Sequence, residues 1–157
     1  MTDQDAIKII CKNRKARFNF DIEDTFEAGI ALLGSEVKSL RNGRANLSDA
    51  YAKFRNGEAF LVDAHISPYE QANRENHDPL RDRKLLLHRR EIKKLLGKVT
   101  ERGYSLIPLQ LYFKRGKVKV LMGLGRGKKA FDKREAIKKK DQRRELERML
   151  KFRQRDS

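Results

Sequence analysis

Between Phe18 and Leu32 the apolar side chains fall on alternate positions: Phe18, Phe20, Ile22, Phe26, Ala28, Ile30 and Leu32, with Asp24 as the one interruption. A period of two belongs to a strand buried on one side, and the interruption predicts a bend near Asp24 or Gly29. Ser35 as N-cap, Val37 and Leu40 three apart, and Gly43 as a stop predict a short helix after it. Ala50 to Phe54 and Ala59 to Ile66 are apolar runs joined by Asn56-Gly57, the dipeptide suited to a type I′ hairpin turn. Residues 67–83 hold almost no apolar side chains and predict an exposed, mobile loop. Ile92, Leu95, Leu96 and Val99 then fall at helical spacing within residues 88–102, with Gly97 as a break and Gly103 as a stop. Ile107 to Phe113 and Val118 to Met122 alternate around a turn at residues 114–117, which predicts a second hairpin. From Gly125 onward apolar residues become rare.

Strand, short helix, hairpin, helix, hairpin is the element order of the OB-fold, although a small α+β sandwich could share it. A long first strand that bends favours the barrel. The expected fold class is therefore mainly β: an OB-fold-like antiparallel barrel with short helices over residues 1–125, followed by a basic C-terminal tail over residues 126–157.

Charge sharpens this picture. The 157 residues carry 38 basic and 22 acidic side chains, a formal charge of +16. Residues 1–125 hold 24 basic and 16 acidic groups (+8), and the last 32 residues hold 14 and 6 (+8). Half the excess thus sits in a fifth of the chain. A single cysteine, Cys11, rules out an intramolecular disulfide and a multi-thiolate zinc site, and points to a reducing compartment. No basic leader and no membrane-length apolar run is visible, so a soluble, cytoplasmic protein is expected. For such a chain, a pI near 10.2 points to nucleic acid ahead of a membrane surface.

Candidate chemistry is sparse. His65, His77 and His88 stand on different predicted elements without metal-ligand spacing, which reads as one strand histidine and two surface ones. No metal, cofactor or catalytic residue is expected. Gly123-Leu124-Gly125-Arg126-Gly127-Lys128 fails as a phosphate-binding P-loop at both ends, and its glycine spacing is wrong for a dinucleotide fold. Two readings remain: a backbone that approaches phosphates, neutralised by Arg126, Lys128 and Lys129, or a plain exit from the barrel. Arg14, Lys15 and Arg17 flank Phe18 and Phe20, which are core residues by their alternation and stacking platforms otherwise. In the predicted loop, Arg74, Arg81, Arg83 and Lys84 could reach a groove. In the tail, Leu146, Met149 and Leu150 share a helical face, and Glu145/Arg148 and Glu147/Lys151 have ion-pair spacing, so the tail should fold against a partner.

Together the segments NRKAR (13–17), FEAGIAL (26–32), GSEVKSLRNGRAN (34–46), HISPYEQ (65–71), HDPLRDRKLLLHRREI (77–92), LYFKRGKVKV (111–120) and GKKAFDKRE (127–135) resemble the small protein B, or SsrA-binding protein, family. The resemblance spans most of the chain in order. It implies a cytoplasmic, monomeric non-enzyme that binds the tRNA-like domain of tmRNA and supports its alanylation. With elongation factor Tu, and after alanyl-tRNA synthetase has acted, such a protein reaches the A site of stalled ribosomes. The tail, flexible when free, would become helical in the decoding centre and empty mRNA channel. Position by position, the resemblance makes Asn13, Arg14, Glu27, Lys38, Arg83, Lys84, Leu86, Arg126, Lys128 and Lys129 RNA-binding. It assigns Asp132, Lys133, Arg134 and Ile137 to ribosome contact. One departure is Phe18, where many members have His. Rival expectations are a basic ribosomal protein or OB-type translation factor that binds rRNA constitutively, and an enzyme such as a metal-independent RNase.

Overall fold

The computed structural model describes residues 6–69, 76–128 and 130–155, apart from the side chains of 101, 102, 130–133, 135, 136 and 152–155. Strand β1 (Ile7–Lys12) and the single turn α1 (Ala16–Asn19) precede the long strand β2 (Phe20–Ile30) and helix α2 (Gly34–Arg41). Then come β3 (Ala45–Asn46), the hairpin β4 (Tyr51–Arg55) and β5 (Glu58–Val62), and β6 (His65–Ile66). Strand β7 (Arg83–Leu86), helix α3 (Arg89–Arg102), the hairpin β8 (Ser105–Lys114) and β9 (Lys117–Gly127), and helix α4 (Ala130–Arg155) complete the chain.

Seven strands form one antiparallel sheet in the order β1-β8-β9-β2-β7-β5-β4, and β3 pairs with β6 beside it. Edge strand β4 returns against β8, five places away in that order, so the sheet curls into a barrel-like wall. Inside it pack Ala28, Ile30, Leu61, Leu85, Leu106, Leu111, Val120, Met122 and Leu124, closed by Leu40 of α2 and Leu95 of α3. Each such leucine or isoleucine contributes about 1.5–3 kcal/mol by leaving water. The mainly β, barrel-like class with short helices stands.

Both hairpin turns have two residues with positive φ, Asn56 (50°) with Gly57 (76°) and Arg115 (53°) with Gly116 (74°), as a type I′ turn requires. Gly43 (φ 69°) closes α2 and Gly103 (φ 68°) closes α3, each in the left-handed conformation that costs glycine least.

The interruption at Asp24 does more than bend β2. The pairing with β9 slips between Ile22 and Asp24, leaving Glu23 as an extra residue. One extra residue exchanges the two faces of a strand. Phe20 and Ile22 accordingly pack on the outside with Ala16, Ile107 and Leu109, whereas Phe26, Ala28 and Ile30 face the main core. An alternation that keeps its phase across Asp24 thus serves both sides of the sheet.

Several expectations are corrected. Strands β1 and β7 and the turn α1 were absent from the sequence-derived order. Phe18 stands on α1, not on the long strand, and is 39% exposed rather than core. Helix α2 starts at Gly34, one residue before the proposed cap Ser35, because the Glu36 carboxylate accepts the Leu33 amide at 2.7 Å. Gly97 does not interrupt α3. Residues 126 and 127 belong to β9, so the tail begins after the barrel's last strand rather than at 126. Residues 76–82 are not a free loop, since His77 is 6% exposed and Arg81 is ion-paired. Residues 70–75 of that expected loop, including Arg74, lie outside the described residues.

Candidate nucleic-acid interface

On the outer face of the sheet, one row of residues crosses five strands. Ile9 of β1 pairs with Tyr112 of β8, Tyr112 with Lys119 of β9, Lys119 with Gly29 of β2, and Gly29 with Leu86 of β7. Ile9 and Leu86 are 47% and 55% exposed at the two ends. Leu86 lies over Gly29, where any Cβ would meet the Leu86 Cβ at 3.1 Å. Glu27 stands one outward step along β2 from Gly29. The fold therefore brings Glu27 and Leu86, nearly sixty residues apart in the chain, to adjacent positions on one open surface.

Glu27 is held in place. Its Oε2 accepts the Tyr112 hydroxyl at 2.5 Å and Lys114 Nζ at 3.3 Å. The Tyr112 bond, helped by Lys114 and the charge of Lys119, holds the Glu27 carboxyl below its ordinary range against the opposing effect of desolvation. Burial and the Glu27 bond push the Tyr112 phenol up, so it stays a donor at neutral pH. The result is a fixed anionic acceptor among cations, an arrangement that can receive base or ribose donors while phosphates lie on the surrounding lysines. Val37 of α2 borders the same surface beside Lys117 and Lys119. Lys38, next in α2, is exposed and lies over the Tyr69 ring at 5.5 Å. Lys84 projects outward from β7 and pairs with Glu58 at 3.1 Å.

A second basic surface lies at the far end of β2, roughly 20 Å away at the usual rise per strand residue. Arg14, Lys15 and Arg17 are exposed beside Phe18 at α1. Arg126 stacks on the Tyr104 ring at 4.5 Å, and Tyr104 donates its hydroxyl to Glu23 at 2.6 Å. Lys128 Nζ is 3.9 Å from Asp21 Oδ1. Helix α4 leaves from here, passing beside α1. Arg134 and Ile137 are exposed on α4, as are Leu146, Met149 and Leu150. Lys129 and the side chains of Asp132 and Lys133 lie outside the described residues.

Two expected RNA contacts are interior groups. Arg83 was expected on the basic surface, but its guanidinium is 0% exposed. It donates through Nε to the equally buried Glu36, and through Nη1 to the Ala64 carbonyl at 2.7 Å. Burial opposes the Glu36 charge, but bonds from Arg81, the Leu33 amide and Arg83 outweigh it and hold the carboxyl below its ordinary value. Burial lowers the Arg83 pKa while Glu36 sustains its charge. Asn13 is 8% exposed, and its amide nitrogen ties the Leu47 and Pro108 carbonyls at 3.1 and 2.9 Å. It fastens the segment before α1 to β8 from within.

The glycine-rich run is also a packing feature. A Cβ at Gly125 would lie 2.3 Å from the Asp21 carbonyl oxygen, and one at Gly123 would lie 3.1 Å from Ile22 and Leu109. These glycines admit the bulge of β2, so neither a phosphate cradle nor a flexible exit describes them. His77 is buried between the Ser35 hydroxyl and the Ile66 carbonyl, each at 2.9 Å, and is not the surface histidine expected. Among the described residues, no three His, Cys, Asp or Glu side chains are grouped to hold a metal. Tyr112, Lys114, Lys119 and Ile9 were missed in the sequence, although the alternation of β8 and β9 places Tyr112 and Lys119 on the polar face.

Comparisons with known proteins converge on one family. The family model described as SmpB protein matches residues 10–152. An SsrA-binding protein of Bacillus licheniformis is 58% identical over 147 residues, 94% of each chain. Those of Bacillus subtilis and Thermosynechococcus vestitus are 59% identical over 141 residues (90% of each chain) and 56% over 150 residues (95% of this chain, 99% of that one). A solved structure described as "tmRNA-SmpB: a journey to the center of the bacterial ribosome" contains a chain 50% identical to this one. The match has a TM-score of 0.66 and covers 81% of this chain and 93% of that one. With the match running from β1 through most of α4, this chain belongs to the SmpB, or SsrA-binding protein, family.

Proposed function

We propose that this chain binds the tRNA-like domain of tmRNA and serves in the rescue of stalled ribosomes by trans-translation. The SmpB family consists of RNA-binding proteins, not enzymes. The observation that carries the reading is the joint exposure of Glu27 and Leu86 on one lysine-bordered sheet face. Such a face suits a folded RNA recognised by shape, with phosphates on Lys114, Lys117, Lys119, Lys38 and Lys84 and a fixed acceptor at Glu27. Arg83 and Asn13 act through the fold rather than by direct contact.

The second basic surface, with Arg14, Arg126 and Lys128, continues into α4, and this continuity supports a separate task on the ribosome, to which Lys129 is assigned by its place in the sequence alone. Asp132, Lys133, Arg134 and Ile137 start that arm and enter the decoding centre, while the remainder of α4 follows the empty mRNA channel. Binding to the tRNA-like domain supports its alanylation by alanyl-tRNA synthetase and its delivery with elongation factor Tu to the A site. The chain acts as a monomer in the cytoplasm. Among the described residues, no helix is long and apolar enough to cross a membrane.

The test is competition binding with full-length protein, labelled tRNA-like domain and an excess of bulk tRNA, combined with gradient profiling. Retention of the labelled RNA and substoichiometric, stall-dependent ribosome association support the reading. Loss of the label to bulk tRNA, or fixed one-to-one ribosome occupancy, sinks it.

A further inference from the structure

Helix α3 carries a charge pattern that its fold alone does not call for. Arg89, Arg90, Lys93 and Lys94 lie in its first six residues, all exposed. None of them makes an ion pair among the described residues. Cations at this end oppose the helix dipole, and pairs three and four apart repel one another. Glu91 is the single acid of that turn, and its carboxylate is occupied by the His88 amide at 3.2 Å. An arrangement disfavoured in the free protein is relieved when a polyanion lies against it.

The surroundings identify the polyanion. Arg89 and Lys93 form one wall of a groove of about 840 Å3, whose opposite wall is Lys84 to Leu86 of β7 and Glu58 of the β4–β5 hairpin. Glu58 pairs with Lys84, so the uncompensated charge lies on the helix side. Ile92 and Leu95 are 8% and 7% exposed and Leu96 is half-buried on the groove wall, so the apolar surface left on α3 is too small for a membrane to bury. Leu86 lines both this groove and the depression bordered by Val37, Lys117 and Lys119. The groove is therefore a continuation of the Glu27–Leu86 surface around the edge of β7.

We infer that the groove between α3 and β7 is a second stretch of the RNA interface, in which Arg89 and Lys93, with Arg90 and Lys94 behind them, receive the phosphate backbone of the RNA held at Glu27 and Leu86. The inference rests on the reading that the Glu27–Leu86 face binds RNA. It extends the contact from the sheet to the first two turns of α3.

The test uses the full chain and transcribed tRNA-like domain of tmRNA, with affinity measured across a salt series. Replacing Arg89→Gln together with Lys93→Gln should weaken binding about 5- to 20-fold and reduce the slope of log affinity against log salt by about 1 to 2, as expected for two lost phosphate contacts. The melting temperature should hold or rise slightly, because the dipole conflict is removed. Arg89→Lys should retain most of the affinity. If the double variant keeps both affinity and slope while wild type binds and Glu27→Gln weakens binding, the groove inference fails and the sheet-face reading survives. Loss of binding to polyglutamate with unchanged RNA affinity would also overturn it, in favour of an acidic protein partner. If wild type shows no preference for the tRNA-like domain and Glu27→Gln changes nothing, the underlying reading is the one that fails.

Discussion

The Tyr112 hydroxyl crosses the outer face of β9 to donate to Glu27 Oε2 at 2.5 Å, linking two strands that are not hydrogen-bonded neighbours. This bond fixes the Glu27 carboxylate among the lysines of that face. Tyr112→Phe should leave the fold intact and weaken binding to the tRNA-like domain, by less than Glu27→Gln does. The double variant should be little worse than Glu27→Gln alone, since the tyrosine acts through the glutamate. Equal, additive losses in a full double-mutant cycle would show instead that Tyr112 touches the RNA independently. Glu27→Gln should itself weaken binding although it removes a negative charge from a basic surface, and tighter binding would favour a purely electrostatic interface.

Arg83 and Glu36 predict a stability effect rather than a binding one. Removing Glu36 leaves a guanidinium buried and unpaired, so Glu36→Ala should cost about 3–5 kcal/mol in urea unfolding. A double change to Glu36→Leu and Arg83→Met should cost less than either single change, because the desolvation penalty goes with both charges. The folded-state carboxyl of Glu36 is held below its ordinary value of 4.5. Its contribution is therefore complete above that value and is lost as pH falls through the lower folded-state value. Glu36→Gln should flatten that acid limb of the stability curve. A wild-type and variant limb of the same steepness would count against this role.

The same pair shows where the sequence stops being legible. Alternation, Asn-Gly and glycine stops were enough for both hairpins, the long strand and its bend, because each depends on neighbours within a few residues. Strand β7 was not legible, because its polarity is inverted: Arg83 points in and Leu86 points out. A hydrophobic pattern misreads both positions, since the partner that makes the inward arginine tolerable, Glu36, is forty-seven residues away. Likewise the bulge at Glu23 keeps the sequence period intact while exchanging the faces of β2. For the site, motif resemblance picked out Glu27 and Leu86 but also Arg83 and Asn13, which share their segments with surface residues and differ only in burial. The basic face became visible once strand order put β8 and β9 beside β2.

Gly125 separates packing from phosphate contact. A methyl group there would sit 2.3 Å from a backbone oxygen of Asp21, which cannot swing aside as a side chain could. Gly125→Ala should cost about 1–3 kcal/mol, lowering the melting temperature by roughly 2–10 °C for a chain of this size. RNA affinity of the folded fraction should change little. A variant that melts normally yet binds RNA poorly would restore the phosphate-loop reading.

Deleting residues 131–157 tests the division of labour between the sheet face and α4. The deletion removes 11 basic and 6 acidic residues, a net +5, from a helix whose described side chains from Ile137 to Lys151 are exposed. Those charges should contribute to nonspecific attraction, which salt screens, so binding to bulk RNA should fall most at low ionic strength. The Glu27–Leu86 face remains, and near physiological salt affinity for the tRNA-like domain should stay within about threefold of wild type, close to the loss of one phosphate contact. Tagging of stalled chains in a reconstituted translation reaction should nevertheless be lost, because the arm proposed to occupy the mRNA channel is gone. Leu146, Met149 and Leu150, each more than half exposed on one side of α4, have no partner on the barrel among the described residues. Their joint replacement by serine should reproduce the tagging defect without the charge change. Retention of tagging by that variant would assign the role of the arm to its cations, and a large loss of tRNA-like-domain affinity on deletion would show that the two surfaces share one task.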